Sequence, residues 1–128
     1  MCRPVHQEIT LPASPAEVYR AYMTSREHAL FTGSAARMSS RIGGAFTCGD
    51  ASISGINVDL VPGKRIVQAW RLSHWKEGVY SLVTFSLKKK GKGTLLVMDH
   101  LAIPAEERSE IVDGWNTYYW TPLREYFG

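Results

Sequence analysis

The four histidines, His6, His28, His74 and His100, carry the side chains best suited to acid–base chemistry near neutral pH. No two of them lie three or four positions apart, and no set of cysteines and histidines has the paired spacing typical of a zinc site. The sequence also lacks a phosphate-binding glycine loop, a dinucleotide-binding fingerprint and a Gly-x-Ser-x-Gly elbow. We therefore predict no metal site and no cofactor, and we find none of the common catalytic signatures.

Two polar residues occur among apolar neighbours on strand-like segments. If Leu96 and Met98 face the core, the two-residue period of a strand places the imidazole of His100 on the same face, where it could point into a cavity. The same argument places Gln68 beside Trp70. The default interpretation of His100 is a structural histidine with its hydrogen bonds satisfied. Gln68 could orient a ligand by hydrogen bonding, or it could pair with backbone or water, and the two interpretations explain its pattern equally well.

The four tryptophans, Trp70, Trp75, Trp115 and Trp120, could belong to the core or line a ligand pocket. Burial is the default expectation, because large aromatic side chains mainly supply hydrophobic area. Trp75 and Trp120 depart from the strongest apolar pattern of their segments, so these two could instead be exposed anchors for a partner protein.

Length and charge limit the functions that fit the chain. Its 128 residues suit a single domain, residues 1–128, with one core that needs neither a disulfide nor a metal for stability. The net charge is +3, and the basic run Lys88–Lys90 is followed by Gly91 and Gly93 between two strand-like segments. This arrangement is typical of a solvated hairpin turn, so we expect no nucleic-acid partner.

The hydropathy of the chain predicts no membrane span. No segment approaches the ~20 apolar residues that a spanning helix needs, and residues 1–15 contain no apolar stretch long enough for a signal peptide. We therefore expect a soluble, cytoplasmic protein in which Cys2 and Cys48 are free thiols. Cys48 lies in a strand-like run and is expected to be a small core residue rather than a nucleophile.

The first third of the chain reads as one strand followed by two short helices. Val5–Leu11 alternates apolar and polar residues, as a half-buried strand does. Ser14 and Glu17 flank Pro15 at the spacing of a capping box, which predicts a helix start. A second helix is predicted from Thr24 or Ser25 to about Gly33, with an inward apolar set of Ala29, Leu30 and Phe31.

Residues 35–103 read as an antiparallel series of strands separated by turn signals. In residues 52–61 the apolar Ile53, Ile56, Val58 and Leu60 alternate with Asn57 and Asp59, and Pro62-Gly63 then gives a strong turn signal. The glycines at 43 and 44 indicate a bulge or sharp bend. The segments predicted as strands are Arg41–Cys48, Ser52–Val61, Lys64–Trp75, Val79–Leu87 and Thr94–Ile103.

Residues 105–128 read as one long aromatic helix that follows the strands. Pro104 and the acidic first turn fit a helix start. Pro122 should kink the helix near Thr121 or end it early, because proline lacks an N–H and crowds the preceding turn. The apolar stripe expected to face the core is Val112, Trp115, Tyr119, Leu123 and Tyr126, widened by Ile111, Tyr118, Trp120 and Phe127.

These elements predict an α+β fold in which a bent antiparallel sheet wraps around the C-terminal helix. Several strings also resemble the family of activators of the heat-shock protein 90 ATPase, in its C-terminal domain, over essentially the whole chain. They are Leu11–Tyr19, Gly43–Phe46, Ser54-Gly55, Asp59–Val67, Trp70-Arg71, Trp75–Gly78, Ile103-Pro104 and Gly114–Tyr119. The resemblance implies the helix-grip fold of START and birch-pollen-allergen-like domains, with a hydrophobic cavity walled by the C-terminal helix.

The resemblance implies a non-enzymatic binding domain that encloses a small hydrophobic ligand, serves as a co-chaperone-like module for heat-shock protein 90, or does both. The separate N-terminal domain of the eukaryotic activators, which engages the chaperone, has no counterpart among these residues. Because the superfamily includes aromatic polyketide cyclases, the alternative is a cyclase- or hydratase-type enzyme with His100 as general acid or base. The expected cavity residues are Phe46, Gln68, Trp70, Val83, Phe85, Met98, His100, Trp115 and Tyr119.

Overall fold

The computed structural model describes residues 4–128, so Cys2 lies outside the described residues. Seven antiparallel strands form one curved sheet in the order β1-β7-β6-β5-β4-β3-β2, which confirms the predicted α+β, helix-grip class. The strands are β1 Val5–Leu11, β2 Arg37–Met38, β3 Ala45–Cys48, β4 Ile53–Val61, β5 Arg65–Leu72, β6 Ser81–Lys90 and β7 Gly93–Leu101. The helices are α1 Pro15–Met23, α2 Ser25–Thr32, α3 Arg108–Trp115 and α4 Thr121–Phe127.

The strand β1 reaches across the molecule to pair with β7. Their register joins Val5 to His100 and Leu11 to Thr94, so the N-terminal strand forms one edge of the sheet beside a strand made much later. The hydroxyl of Thr94 donates to the carbonyl of Ala13 at 2.7 Å and fixes the chain where it leaves β1. The sheet is thereby completed by long-range pairing.

The two short helices begin as the sequence predicts, but α2 turns a different face inward. In α1 the backbone N–H of Glu17 donates to Ser14 Oγ, and the carboxylate of Glu17 accepts from the Ser14 N–H, which completes the capping box. In α2 the buried residues are His28 and Phe31, three positions apart on one face. Leu30 is 59% exposed, so its predicted inward placement is wrong, because the ~100° step per residue turns it away from that face.

In β4 the apolar residues of the alternating pattern do not mark the buried face. Ile56 and Val58 are exposed, whereas Asn57 between them is fully buried. The register between β4 and β5 shifts between Asn57 and Asp59, and this bulge changes which side chains face the core. A buried asparagine is tolerated there because its amide N–H groups donate to the carbonyls of Ser39 and Arg41.

The C-terminal helix is continuous to Phe127 but widens in the middle. A 3-10 turn, Ala105–Glu107, leads into α3, and a π-helical turn, Asn116–Trp120, joins α3 to α4. The irregularity therefore lies just before Pro122, close to the predicted kink at Thr121, and the helix does not end early. Because residues five apart nearly overlie in a π turn, the rings of Trp115 and Trp120 stack with centroids 5.4 Å apart.

Two tryptophans whose placement the sequence left open are buried, as expected by default, whereas two tyrosines differ from the sequence prediction. Trp75 and Trp120 are buried, so neither is an exposed anchor for a partner. Tyr126 and Tyr118 were assigned to the inward face but are exposed, and the hydroxyl of Tyr126 donates to Glu27. The extra residue in the π turn rotates the residues that follow it, which brings Trp120 inward and carries Tyr126 to the edge of the buried stripe.

Candidate functional site

The interior between the middle of the sheet and the C-terminal helix is packed rather than open. Phe46, Val83, Phe85 and Met98, which were predicted to line a cavity, are at most 2% exposed and belong to one continuous core. The void beside Phe85 and Trp120 measures about 10 Å³, which is no larger than one water molecule requires. We call this region the packed interior.

His100 lies in the packed interior with both ring nitrogens engaged. The indole N–H of Trp115 points at Nδ1 over 3.0 Å, so this nitrogen must accept and carries no proton. The proton is therefore on Nε2, which donates to Ser81 Oγ at 2.7 Å, and that hydroxyl donates to the Trp70 carbonyl. Burial lowers the pKa of His100 to about 3. The imidazole is neutral and has no free nitrogen for a substrate.

Gln68 lies in a second closed network. The hydroxyl of Tyr22 donates to Gln68 Oε1 at 3.0 Å, and Gln68 Nε2 donates to Asn57 Oδ1 at 3.0 Å. All three side chains are buried, and burial raises the pKa of Tyr22 well above its ordinary value. The glutamine thus links α1 to β4 across the core.

A third network joins Tyr119 to His28 and Cys48. His28 Nδ1 donates to the carbonyl of Tyr22, which leaves Nε2 to accept from the Tyr119 hydroxyl at 2.8 Å. Cys48 Sγ lies 3.3 Å from that hydroxyl, so its S–H can donate to it in turn. Burial lowers the pKa of His28 to about 4 and raises that of Cys48 to about 11, so both side chains are uncharged near neutral pH. Cys48 is therefore a free, buried thiol, as predicted.

An open cavity of about 610 Å³ lies to one side of the packed interior, and we call it the α3 cavity. Of the nine predicted cavity residues, Trp70, Trp115 and Tyr119 line it, and the other six do not. The ligand-binding role of all nine stays a prediction. The lining residues that the sequence did not predict are Thr32, Ser34, Gly49, Ser52, Ile53, Leu72, Glu110, Ile111, Asp113, Gly114, Thr117 and Tyr118.

The wall of the α3 cavity contains an unpaired hydrogen-bond donor. Trp70 is 4% exposed, and its indole Nε1 has no hydrogen-bond partner. The other three indole N–H groups all have acceptors: those of Trp75, Trp115 and Trp120 donate to Glu107, His100 and Gln7, respectively. A buried donor without an acceptor costs about 1–3 kcal/mol, and the indole nitrogen itself has almost no surface open to the cavity.

The mouth of the α3 cavity is formed by one face of the C-terminal helix. Glu110, Asp113, Gly114 and Thr117 recur at helical spacing, and the exposed ring of Tyr118 stands beside them. A Cβ added to Gly114 would meet only the Tyr118 ring, at 3.7 Å. Glycine inside a helix is unfavourable, so Gly114 was the signal in the sequence that could have indicated open space at this face.

Residues 4–128 contain neither a metal-binding cluster nor a membrane-spanning helix. No group of three or more histidine, cysteine, aspartate or glutamate side chains is placed to hold a metal ion. None of the helices in this part of the chain is both long enough and apolar enough to cross a membrane.

Comparison with known proteins relates the chain to one protein family. The family model described as "Activator of Hsp90 ATPase homolog 1-like protein" matches residues 12–128. The human "Activator of 90 kDa heat shock protein ATPase homolog 1" is 36% identical over 119 residues, which are 93% of this chain and 35% of the human protein. The Dictyostelium discoideum homologue is 35% identical over 103 residues, 80% of this chain and 27% of that protein. The chain therefore spans about a third of these relatives' length.

The solved structure of a heat-shock protein 90 activator from Plasmodium falciparum has the same fold. Its TM-score is 0.84 at 23% identity, with 98% of this chain and 95% of that chain covered. The family model covers all but the first 11 residues, and the human relative aligns over 93% of the chain. As its motifs predicted, this chain belongs to the family of activator of Hsp90 ATPase homolog 1-like proteins.

Proposed function

We propose that this domain is a non-enzymatic binding module with a co-chaperone-like role, and that the α3 cavity holds a small, largely apolar molecule. The observation that carries the ligand is the cavity itself, about 610 Å³ of open space beside the rings of Trp70, Trp115 and Tyr119. Volumes of this size accommodate drug-sized molecules in other proteins. The rest of the interior is too tightly packed to receive one.

The geometry of the ionisable groups supports binding rather than catalysis. His100 uses both nitrogens internally, so a cyclase- or hydratase-type mechanism through it has no geometric support. The ionisable side chains at the α3 cavity are Glu110, Asp113, Tyr118 and Tyr119. Tyr119 is held by His28 and Cys48, and burial raises its pKa well above the ordinary value, which makes it a poor proton donor or acceptor.

Native mass spectrometry with a panel of fatty acids, sterols and aromatic polyketides tests the ligand proposal. We expect at least one bound species with the unmodified protein and loss of that species in Gly114→Leu, because the new side chain occupies cavity space. Ser109→Leu is the matched control, since Ser109 is an exposed residue of the same helix that does not line the cavity. Equal binding by both variants would place the ligand elsewhere.

The family relation supports the co-chaperone part of the proposal. The human relative is named for activating the ATPase of the 90 kDa heat-shock protein. We propose that the 128-residue domain acts on the corresponding chaperone and shares its compartment, the cytoplasm. The measurement is the ATPase rate of that chaperone with increasing concentrations of the domain, with an active-site inhibitor of the chaperone as background control. An unchanged rate at saturating concentration would contradict this part alone.

A further inference from the structure

The electrostatic sign of the α3 cavity is opposite to that of the whole protein. The protein carries a net charge of +3, yet the residues lining the cavity include two carboxylates, Glu110 and Asp113, and no basic side chain. Both carboxylates are exposed and lie three positions apart on one face of α3. Across residues 4–128 neither makes an ion pair or a side-chain hydrogen bond. Two unpaired negative charges therefore stand at the mouth.

The wall of the same cavity supplies the second element of recognition. The indole N–H of Trp70 is unpaired but closed off from the cavity, so it can donate to an oxygen acceptor on a bound molecule only after a small shift of its ring. The rings of Trp115 and Tyr119 offer apolar and π-electron surface beside it, and the Tyr118 ring is 67% exposed at the mouth. Aromatic faces attract cations as well as apolar groups, so they reinforce the preference set by the carboxylates.

From this arrangement we infer that the α3 cavity selects aromatic amines, cationic molecules with a flat apolar body and an oxygen acceptor, over anions of the same shape. The inference rests on the proposed function, in that it assumes that the cavity holds a small apolar molecule. The ammonium group lies at Glu110 and Asp113, the ring body lies along Trp115 and Tyr119, and the acceptor receives the Trp70 N–H once the indole ring has shifted toward the cavity. Fatty acids, with their carboxylate heads, are disfavoured at this mouth.

The test uses three probes that differ only in their head group. They are 6-methoxynaphthalene bearing an aminomethyl, a hydroxymethyl or a carboxylate group at position 2, and their dissociation constants are measured by calorimetry at low salt. We expect the amine to bind roughly tenfold more tightly than the alcohol, since each exposed charge pair contributes modestly and two are available. We expect the carboxylate to bind more weakly than the alcohol. Raising the salt concentration should weaken the binding of the amine more than that of the alcohol.

Variants that remove the two negative charges test whether Glu110 and Asp113 cause the preference for the amine. Glu110→Gln combined with Asp113→Asn should bring the amine and the alcohol within about twofold of each other. Glu106→Gln combined with Glu125→Gln is the matched control, because it removes two exposed carboxylates from the same end of the chain without touching the cavity lining. The control should retain the full preference for the amine.

The indole N–H signals of the four tryptophans give a readout of the bound pose. In ¹H–¹⁵N spectra the Trp70 signal, assigned by its loss in Trp70→Phe, should move downfield when the probe binds. The signals of Trp75 and Trp120 should stay in place, since their N–H groups already have acceptors, and they also report that each variant is folded.

The outcomes separate the inference from the proposed function. Binding of all three probes without a rank order, or a preference for the amine that survives in the charge-neutral pair, overturns the charge inference and leaves the ligand cavity standing. A Trp70 signal that does not move when the amine binds overturns the acceptor contact. Failure of every probe to bind at millimolar concentration contradicts both the cavity as a ligand site and the inference that rests on it.

Discussion

The packed interior and the α3 cavity lie side by side, share tryptophan and tyrosine walls, and differ in how their polar groups are satisfied. In the packed interior His100, Gln68 and His28 are fully buried, and each has hydrogen-bond partners on both sides. At the α3 cavity the indole N–H of Trp70 has no acceptor, and two carboxylates have no cation. Polar groups are therefore saturated with partners in one region and left without them in the other, as we expect if stability and the proposed ligand binding depend on separate regions.

Truncating Phe85 is the severest test of the packed interior. Phe85→Ala should lower the free energy of unfolding by about 4 kcal/mol, because the lost ring leaves a void among fully packed neighbours. Urea denaturation measures the change. A loss below about 1.5 kcal/mol would mean that the interior collapses or was open already, and the contrast with the α3 cavity would disappear.

The buried histidines predict a steep loss of stability in mild acid. The pKa values of His28 and His100 are lowered to about 4 and about 3, so between pH 6 and 5 the unfolded chain binds protons that the folded protein does not. Stability therefore falls as pH falls, by at most about 1.4 kcal/mol per pH unit for each histidine and roughly 2.5 kcal/mol for both. Denaturation midpoints at several pH values measure the slope.

His100→Gln should reduce that slope by about half, because one of the two contributing groups is removed. His6 works in the opposite direction: hydrogen bonds to Asp99 and Glu8 raise its pKa, so its small contribution is lost as pH rises. His6→Gln should therefore leave the acid-side slope nearly intact. A flat profile between pH 6 and 5 in the unmodified protein would show that the two buried imidazoles accept protons without breaking their networks.

A pair of tryptophan substitutions compares the two regions directly. Trp115→Phe removes the N–H that pairs with His100 and should cost about 1–3 kcal/mol beyond the lost ring area, because Nδ1 is left buried and unpaired. Trp70→Phe removes a donor that has no partner, so this penalty should be absent. Thermal and urea unfolding of the two variants gives the difference. Equal losses would mean that the Trp70 N–H is satisfied in solution.

The smallest expected effect is a gain in stability from a substitution at the mouth of the α3 cavity. Gly114→Ala should stabilise the protein by up to about 1 kcal/mol, because alanine favours the helix and its methyl group enters open space. The contrasting site is Gly55 in β4, where a Cβ would lie against the backbone carbonyl of Ala69, so Gly55→Ala should be destabilising. A destabilising Gly114→Ala would show that the mouth is less open than its neighbours imply.

Much of the fold could be predicted from the sequence because its signals are local. The alternation in Val5–Leu11, the capping box at Ser14 and Glu17, and the turn residues between the strands each act over a few positions and were read correctly. The inverted face of β4 could not be foreseen, because the bulge after Asn57 depends on pairing with β5 rather than on the sequence of β4 alone. The sequence left the placement of Trp120 open for a similar reason, since an α-helical period does not apply across a π turn.

The candidate site was only partly predictable. Trp70, Trp115 and Tyr119 were expected at a cavity because they are large and apolar, and they do line one. Asp113 and Thr117 could not be recognised as cavity residues, because a polar helix face looks the same in sequence whether it borders bulk water or the mouth of a pocket. Phe85 and Met98 were expected at an open wall, but how densely side chains fill the interior is decided by tertiary packing.

The pairing of β1 with β7 sets the order in which the protein can assemble. Its ladder joins Val5 to His100 and Leu11 to Thr94, so the first strand of this sheet to be synthesised has no partner until the last strand has been made. Closing a loop of that length costs entropy before any of its contacts can repay it, and such topologies fold slowly. The strand of the sheet that is synthesised first is therefore among the last to form its hydrogen bonds, and the sheet gains its final edge only late in synthesis.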